Sequence, residues 1–126
     1  MLKLNYKNLE IWKLSKNICL FIYKITKDYP KEELYGITSQ IRRCAVSIPS
    51  NIAEGYAKSS VKEQLKFIEI AYGSYYELNT QIEISYDLKY IDTDNYNNIC
   101  VDLELLGKML YGYKLSLQKK LKGEDD

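Results

Sequence analysis

Four stretches of this chain place large apolar residues at every third or fourth position, and the breaks between them are short. That spacing keeps one side of an α-helix apolar, whereas a half-buried strand alternates at every second residue. The run at 40–55, QIRRCAVSIPSNIAEG, is the most constrained. At about 100° per residue, Ile37, Ile41, Cys44, Ala45, Ile48 and Ile52 share one face, and Arg43, Ser47, Ser50 and Glu54 share the opposite one. Pro49 has no N–H and its ring crowds the Ala45 carbonyl, which predicts a kink. A second possibility is that one helix ends at Ile48 and another begins with Pro49 in its first turn.

The other three runs read in the same way. After a short polar lead-in, packed through Leu4 or Tyr6, a first helix over 9–27 aligns Ile11, Leu14, Ile18, Phe21, Ile22 and Ile25. Each such side chain contributes about 1.5–3 kcal/mol when fully buried. Tyr29-Pro30 stops that helix, and the short link through Gly36 favours an antiparallel neighbour. Ser60-Val61-Lys62-Glu63 is a capping box opening a third helix over 61–89, with Phe67, Ile68, Ala71, Tyr75, Leu78, Ile82 and Tyr86 inward. Gly73 interrupts it and suits close approach of another backbone. Asp92 or Thr93 caps a fourth helix over 94–121, whose core side is Ile99, Leu103, Leu106, Leu110, Tyr113, Leu117 and Leu121. Val101, Leu105 and Met109 form an adjoining apolar strip beside Gly112, and the acidic 123–126 tail is expected to fray. The fold class is therefore all-α: one domain over 1–126, an antiparallel up-down four-helix bundle with its second helix kinked near Pro49.

Charge narrows the function more than composition does. A net charge of +1 argues against a strongly basic nucleic-acid module, yet residues 1–62 hold 11 basic and 5 acidic side chains, a net +6. Residues 63–126 hold 7 and 12, a net −5, so the halves can attract each other within the fold or between subunits. No histidine is present, which removes the usual serine and cysteine triads. Cys19, Cys44 and Cys100 are odd in number and far apart, as reduced core cysteines of a cytoplasmic protein would be. Cys44 lies on the core face and reads as structural, while Ser47 and Ser50 read as helix-capping or back-bonding hydroxyls. Glu54, Glu69, Glu77 and Glu83 share no inward stripe and lack the Glu-x-x-His pattern of bundle metal sites. No catalytic residue, cofactor or metal is expected, and no membrane span.

Surface patterns supply the candidates. Lys13, Lys16, Lys24 and Lys27 fall within about 80° of one another on the first helix, either as a solvated face or as a phosphate-facing ridge. Trp12, Cys19 and Tyr23 occupy the flank between ridge and core, packed within the chain or against a second subunit. Leu65, Tyr72 and Tyr76 make a similar aromatic flank on the third helix, suited to packing or assembly ahead of base stacking. Arg42 and Arg43 point to different surroundings, where a planar fork serves salt bridging, oligomer packing or phosphate recognition.

These residues also carry a resemblance. The 34–56 segment containing QIRRCAVSIPSNIAEG, followed by FIEIAYGSYYELNTQIEIS at 67–85, resembles the bacterial four-helix-bundle proteins encoded in intervening sequences of 23S rRNA genes. It extends from Leu9-Glu10-Ile11-Trp12 to the leucine-rich fourth helix, with Arg42, Arg43, Ser47, Ile48, Pro49, Asn51, Ile52, Ala53, Glu54 and Gly55 as the signature. The resemblance implies an antiparallel bundle assembled as a homopentamer. It extends distantly to the accessory protein of diversity-generating retroelements, whose assembly binds nucleic acid and a reverse transcriptase. The resulting expectation is a noncatalytic homo-oligomeric scaffold that contacts RNA, or a nucleic-acid-processing protein, through Lys13, Lys16, Lys24, Lys27 and Arg43. The alternative is a protein-interaction module whose basic surface recognises an acidic protein partner.

Overall fold

The computed structural model describes residues 5–123. A 3-10 turn at Asn5–Asn8 leads into α1, Glu10–Thr26, where Leu9 is an extended N-cap without a side-chain bond. Pro30 directs the chain into a second 3-10 turn, Lys31–Glu33, before α2 at Ile37–Tyr56. The helix starts ahead of Gln40, adding the buried Thr38 to its first turn, and continues through Pro49. Two helices meeting at Ile48 are therefore not what forms. Ile48 and Ile52 flank the proline at 1% and 0% exposure. Their burial on one continuous face opposes the ~3 kcal/mol that an internal proline costs.

The third helix, α3, spans Val61–Asp87. Ser60 Oγ accepts the Glu63 N–H at 3.1 Å, but the reciprocal half of the capping box is absent: the Glu63 carboxylate receives the Ser60 hydroxyl at 3.4 Å instead. The helix stops two residues short of Lys89, which takes a left-handed φ of 67°. The Lys89 and Tyr90 N–H groups then close back on the Tyr86 and Ser85 carbonyls, both at 2.9 Å. Asp92 caps the last helix, α4 at Thr93–Gly123, by accepting the Asn95 N–H at 2.7 Å. Gly123 is helical, while Glu124 to Asp126, like Leu4, lie outside the described residues.

Each helix packs on two others: α1 and α3 both contact α2 and α4 and stand on opposite sides of the bundle. Cys44 meets Ser74 while Gly55 meets Phe67, so α2 and α3 run antiparallel. Tyr75 meets Leu103 and Glu83 meets Tyr96, giving α3 and α4 the same relation. Ile22, Ile41, Ile52, Leu78, Ile99 and Leu106 are fully buried where the faces converge, with Leu14, Phe21 and Ile37 half-buried at the edge. A Cβ on Gly55 would lie 2.9 Å from that of Phe67, so its absence lets α2 approach α3. A Cβ on Gly73, by contrast, would have nothing among the described residues within 4 Å, so the close approach expected there is to none of the described helices. Among the described residues, Tyr29 Oη, Thr38 Oγ1, Gln81 Oε1 and Ser85 Oγ are buried without hydrogen-bond partners. All four sit at the end where α1 stops, α2 starts and α3 stops.

Candidate nucleic-acid interface

Lys13, Lys16 and Lys24 on α1 and Lys27 at its C-cap are all exposed, with Leu20 among them at 60% exposure. From Lys13 to Lys27 the ridge spans roughly 21 Å at the rise of an α-helix. Its two ends differ. Lys13 Nζ lies 3.4 Å from Glu10 Oε2, an exposed pair of little energetic weight, and Lys16 Nζ stands 5.3 Å from the Trp12 ring centroid. Among the described residues, Lys24 and Lys27 form no ion pair.

The arginines come from α2. Arg42 Nε donates to Thr26 Oγ1 at 2.8 Å, and that hydroxyl donates to the Ile22 carbonyl at 2.7 Å. The guanidinium also lies 5.0 Å from the Tyr23 ring centroid, within cation–π range. No carboxylate lies within 4 Å of either arginine among the described residues, so of the readings for the pair intrachain salt bridging is not seen, and Arg42 meets a hydroxyl and an aromatic ring. Arg42 and Arg43 line one groove of about 400 Å³ with Tyr23, Leu34 and the 92% exposed Tyr35. Arg42 also lines a second groove with Lys27, so it bridges Lys27 and Arg43. Lys13 and Lys16 remain at the far end of α1.

A third groove, about 490 Å³, lies between α2 and α3 and is lined by Arg43, Cys44, Ser47, Ser74 and Glu77 among others. Ser47 and Ser74 share a hydrogen bond at 2.8 Å. Asn51 Nδ2 donates to both the carbonyl and the hydroxyl of Ser47, at 2.8 and 3.0 Å. Ser47 thus ties two helices together rather than only back-bonding within its own. Ser74 was not among the sequence candidates, because a small polar residue in an aromatic run gives no sign of its partner. Cys44 Sγ donates to the Ser74 carbonyl at 2.9 Å. Burial, then the nearby Glu77 charge and its hydrogen bond, push this thiol up to about 12, which keeps it protonated and unsuited to nucleophilic chemistry. Ser50 and Glu54 are exposed, and Ala53 is half-buried.

The proposed assembly residues divide between two sides of the bundle. On α1, Trp12 and Cys19 are half-buried, Trp12 meeting Tyr6 edge-on at 5.2 Å, while Tyr23 is 41% exposed. On α3, Leu65 and Tyr72 pack against the core and Tyr76 is 58% exposed. Among the described residues, no three His, Cys, Asp or Glu side chains gather to hold a metal, and no helix is long and apolar enough to cross a membrane.

A family model described as 23S rRNA-intervening sequence protein matches residues 7–112. The chain belongs to that family. In this 23S rRNA-intervening sequence protein the matched region takes in all of α1, α2 and α3 and most of α4. No curated protein matches the chain. Its signature residues divide by role: Ile48, Ile52 and Gly55 pack, Ser47 fastens α2 to α3 while Asn51 braces Ser47 from within α2, and Arg42 and Arg43 line surface grooves.

Proposed function

We propose that this 23S rRNA-intervening sequence protein is a noncatalytic, homo-oligomeric scaffold of the cytoplasm that contacts RNA through the basic surface of α1 and the first half of α2. The observation that carries the reading is that Lys24, Lys27, Arg42 and Arg43 stand on adjacent helices with no carboxylate within 4 Å among the described residues, although Arg43 shares a groove with Glu77. Uncompensated cations on a partly exposed surface suit a polyanion, whose binding releases counterions and weakens with salt. Self-assembly is supported from the other side of the molecule. α3 carries Glu63, Glu69, Glu77, Glu83 and Asp87 against only Lys62 and Lys66, and the ion pairs among the described residues both lie within single helices. Opposite charge on opposite sides favours head-to-tail contact between copies, which closes into a ring when the rotation permits. The exposed Leu20 and Tyr23 on α1, and Ile70, Tyr76 and Ile84 on α3, add apolar area to such a contact. A homopentamer is the form the family resemblance suggests.

The test is RNA titration at several salt concentrations, comparing wild type with a variant neutralised at Lys13, Lys16, Lys24, Lys27 and Arg43, with native mass spectrometry of both. Saturable binding that weakens with salt and with neutralisation is expected from an oligomer. A stable monomer, or an assembled protein that ignores RNA at low salt, defeats the corresponding half of the proposal. The acidic face of α3 favours a second reading, in which the basic surface recognises an acidic protein. Binding to such a partner without RNA competition would select it.

A further inference from the structure

We infer that the groove where α1 ends and α2 begins is a phosphate-binding pocket centred on Arg42. The inference deepens the RNA reading and rests on it only for the source of the phosphate, not for the pocket itself.

The pocket encloses about 310 Å³, and its lining includes Lys27, Lys31, Arg42, Thr26, Thr38 and Tyr29. Among the described residues, three cationic side chains line it and no carboxylate does. Arg42 is held in place before any ligand arrives. Its Nε is fixed by Thr26 Oγ1 at 2.8 Å, and its planar group lies 5.0 Å from the Tyr23 ring centroid. Because the Thr26 hydroxyl gives its own proton to the Ile22 carbonyl, its lone pair is committed to Nε–H. The two terminal nitrogens of the guanidinium make no hydrogen bond to another described residue and keep the fork geometry that matches two oxygens of a phosphate. A fixed fork loses less side-chain entropy on binding than a free arginine would.

Thr38 supplies an independent indication. It lines the same pocket, is 3% exposed, and its hydroxyl has no partner among the described residues. A buried hydroxyl without a partner is costly, and an anion oxygen reached by rotation about χ1 would relieve that cost. Lys27 and Lys31 reach from the end of α1 and from the turn after Pro30, adding charge without fixed geometry. Together the set suits a tetrahedral anion bearing two negative charges better than a planar carboxylate, which one arginine satisfies alone. The shared chemistry is a phosphate group, whether free or at the end of an RNA strand.

The experiment titrates the full chain at fixed ionic strength with three probes: inorganic phosphate, a terminally phosphorylated oligoribonucleotide, and the same oligoribonucleotide ending in a hydroxyl. Arg42→Lys keeps the charge and removes the fork, Thr38→Val removes the hydroxyl, and the exposed pair Lys27→Gln/Lys31→Gln leaves the core untouched. Circular dichroism checks the fold of each. Saturable phosphate binding is expected, weakened about tenfold by Arg42→Lys and by the lysine pair, and unaffected by Lys13→Gln/Lys16→Gln. Preference for the phosphorylated oligoribonucleotide, lost in the same variants, places the phosphate on RNA. Phosphate binding with equal response to both oligoribonucleotides assigns the pocket to free phosphate, and phosphate binding without any RNA binding retains the pocket while removing the RNA reading. Absence of saturable phosphate binding, or binding indifferent to both Arg42→Lys and the lysine pair, overturns the pocket even if RNA binds elsewhere on α1.

Discussion

Tyr75 lays its ring against Gly107, and its hydroxyl donates to the Leu103 carbonyl at 2.7 Å. The glycine is the space the tyrosine occupies: a Cβ there would collide with the Tyr75 hydroxyl and ring. Alanine normally gains about 1 kcal/mol over glycine inside a helix, but overpacking a fitted contact costs about 1–3 kcal/mol. Gly107→Ala is therefore expected to lower unfolding free energy, read as an earlier urea midpoint with an unchanged slope.

Gly73 and Gly112 give the opposite sign, because nothing among the described residues lies within 4 Å of a Cβ at either position. Alanine at each should raise the stability of the isolated subunit by about 1 kcal/mol. If the oligomer places another backbone over either glycine, the same substitution weakens assembly. Urea unfolding and sedimentation of the two variants separate these effects.

Lys89 occupies the left-handed position after α3, with φ of 67°. An L-residue pays about 1 kcal/mol there that glycine does not. Lys89→Gly should raise the melting temperature by a few degrees, and Lys89→Ala should not. Equal effects would mean that the lysine side chain, not the backbone, sets the difference.

The Ser47–Ser74 hydrogen bond holds α2 to α3 while Asn51 donates to Ser47. Ser47→Ala leaves the Ser74 hydroxyl and the Asn51 amide short of a partner in a half-buried site. A loss of about 1–2 kcal/mol is expected. The double variant with Ser74→Ala should cost less than the sum of the singles, which a double-mutant cycle measures.

Cys44 sets a sign for the alkaline limb. Its thiol ionises near 9.0 when free and is pushed up to about 12 in the fold, so the native state keeps a proton that the unfolded chain releases. Its stabilising contribution is complete below pH 9 and declines as pH rises towards 12. The slope is at most about 1.4 kcal/mol per pH unit. Stability of Cys44→Ala should fall less steeply above pH 9 than that of wild type. Parallel curves would remove Cys44 from the account.

Helix number and core faces were legible because burial repeats with the helical period: Ile18, Ile22 and Ile25, or Leu103, Leu106 and Leu110, declare a face without reference to any neighbour. Partners were not legible. Arg42 has the same periodic position whether it meets a carboxylate or, as found, a threonine sixteen residues earlier. Gly73 and Gly107 look alike as interruptions of a helix, yet one faces open space and the other a tyrosine. Pro49 shows the competition directly, since its local preference to end a helix yields to the buried isoleucines on either side. In the candidate site, the lysine ridge was visible as spacing, whereas its link through Arg42 to Arg43 depends on how two helices dock.

The four partnerless polar atoms of Tyr29, Thr38, Gln81 and Ser85 give the bundle a direction. The opposite part of α2 and α3 is fastened by the fitted contact of Gly55 with Phe67, so resistance to opening is graded along the helices rather than shared evenly. Amide hydrogens near the Tyr29 end should exchange with solvent sooner than those around Ile52 and Ile68. On that expectation the bundle opens first at one mouth, and it is the mouth on which Arg42 stands.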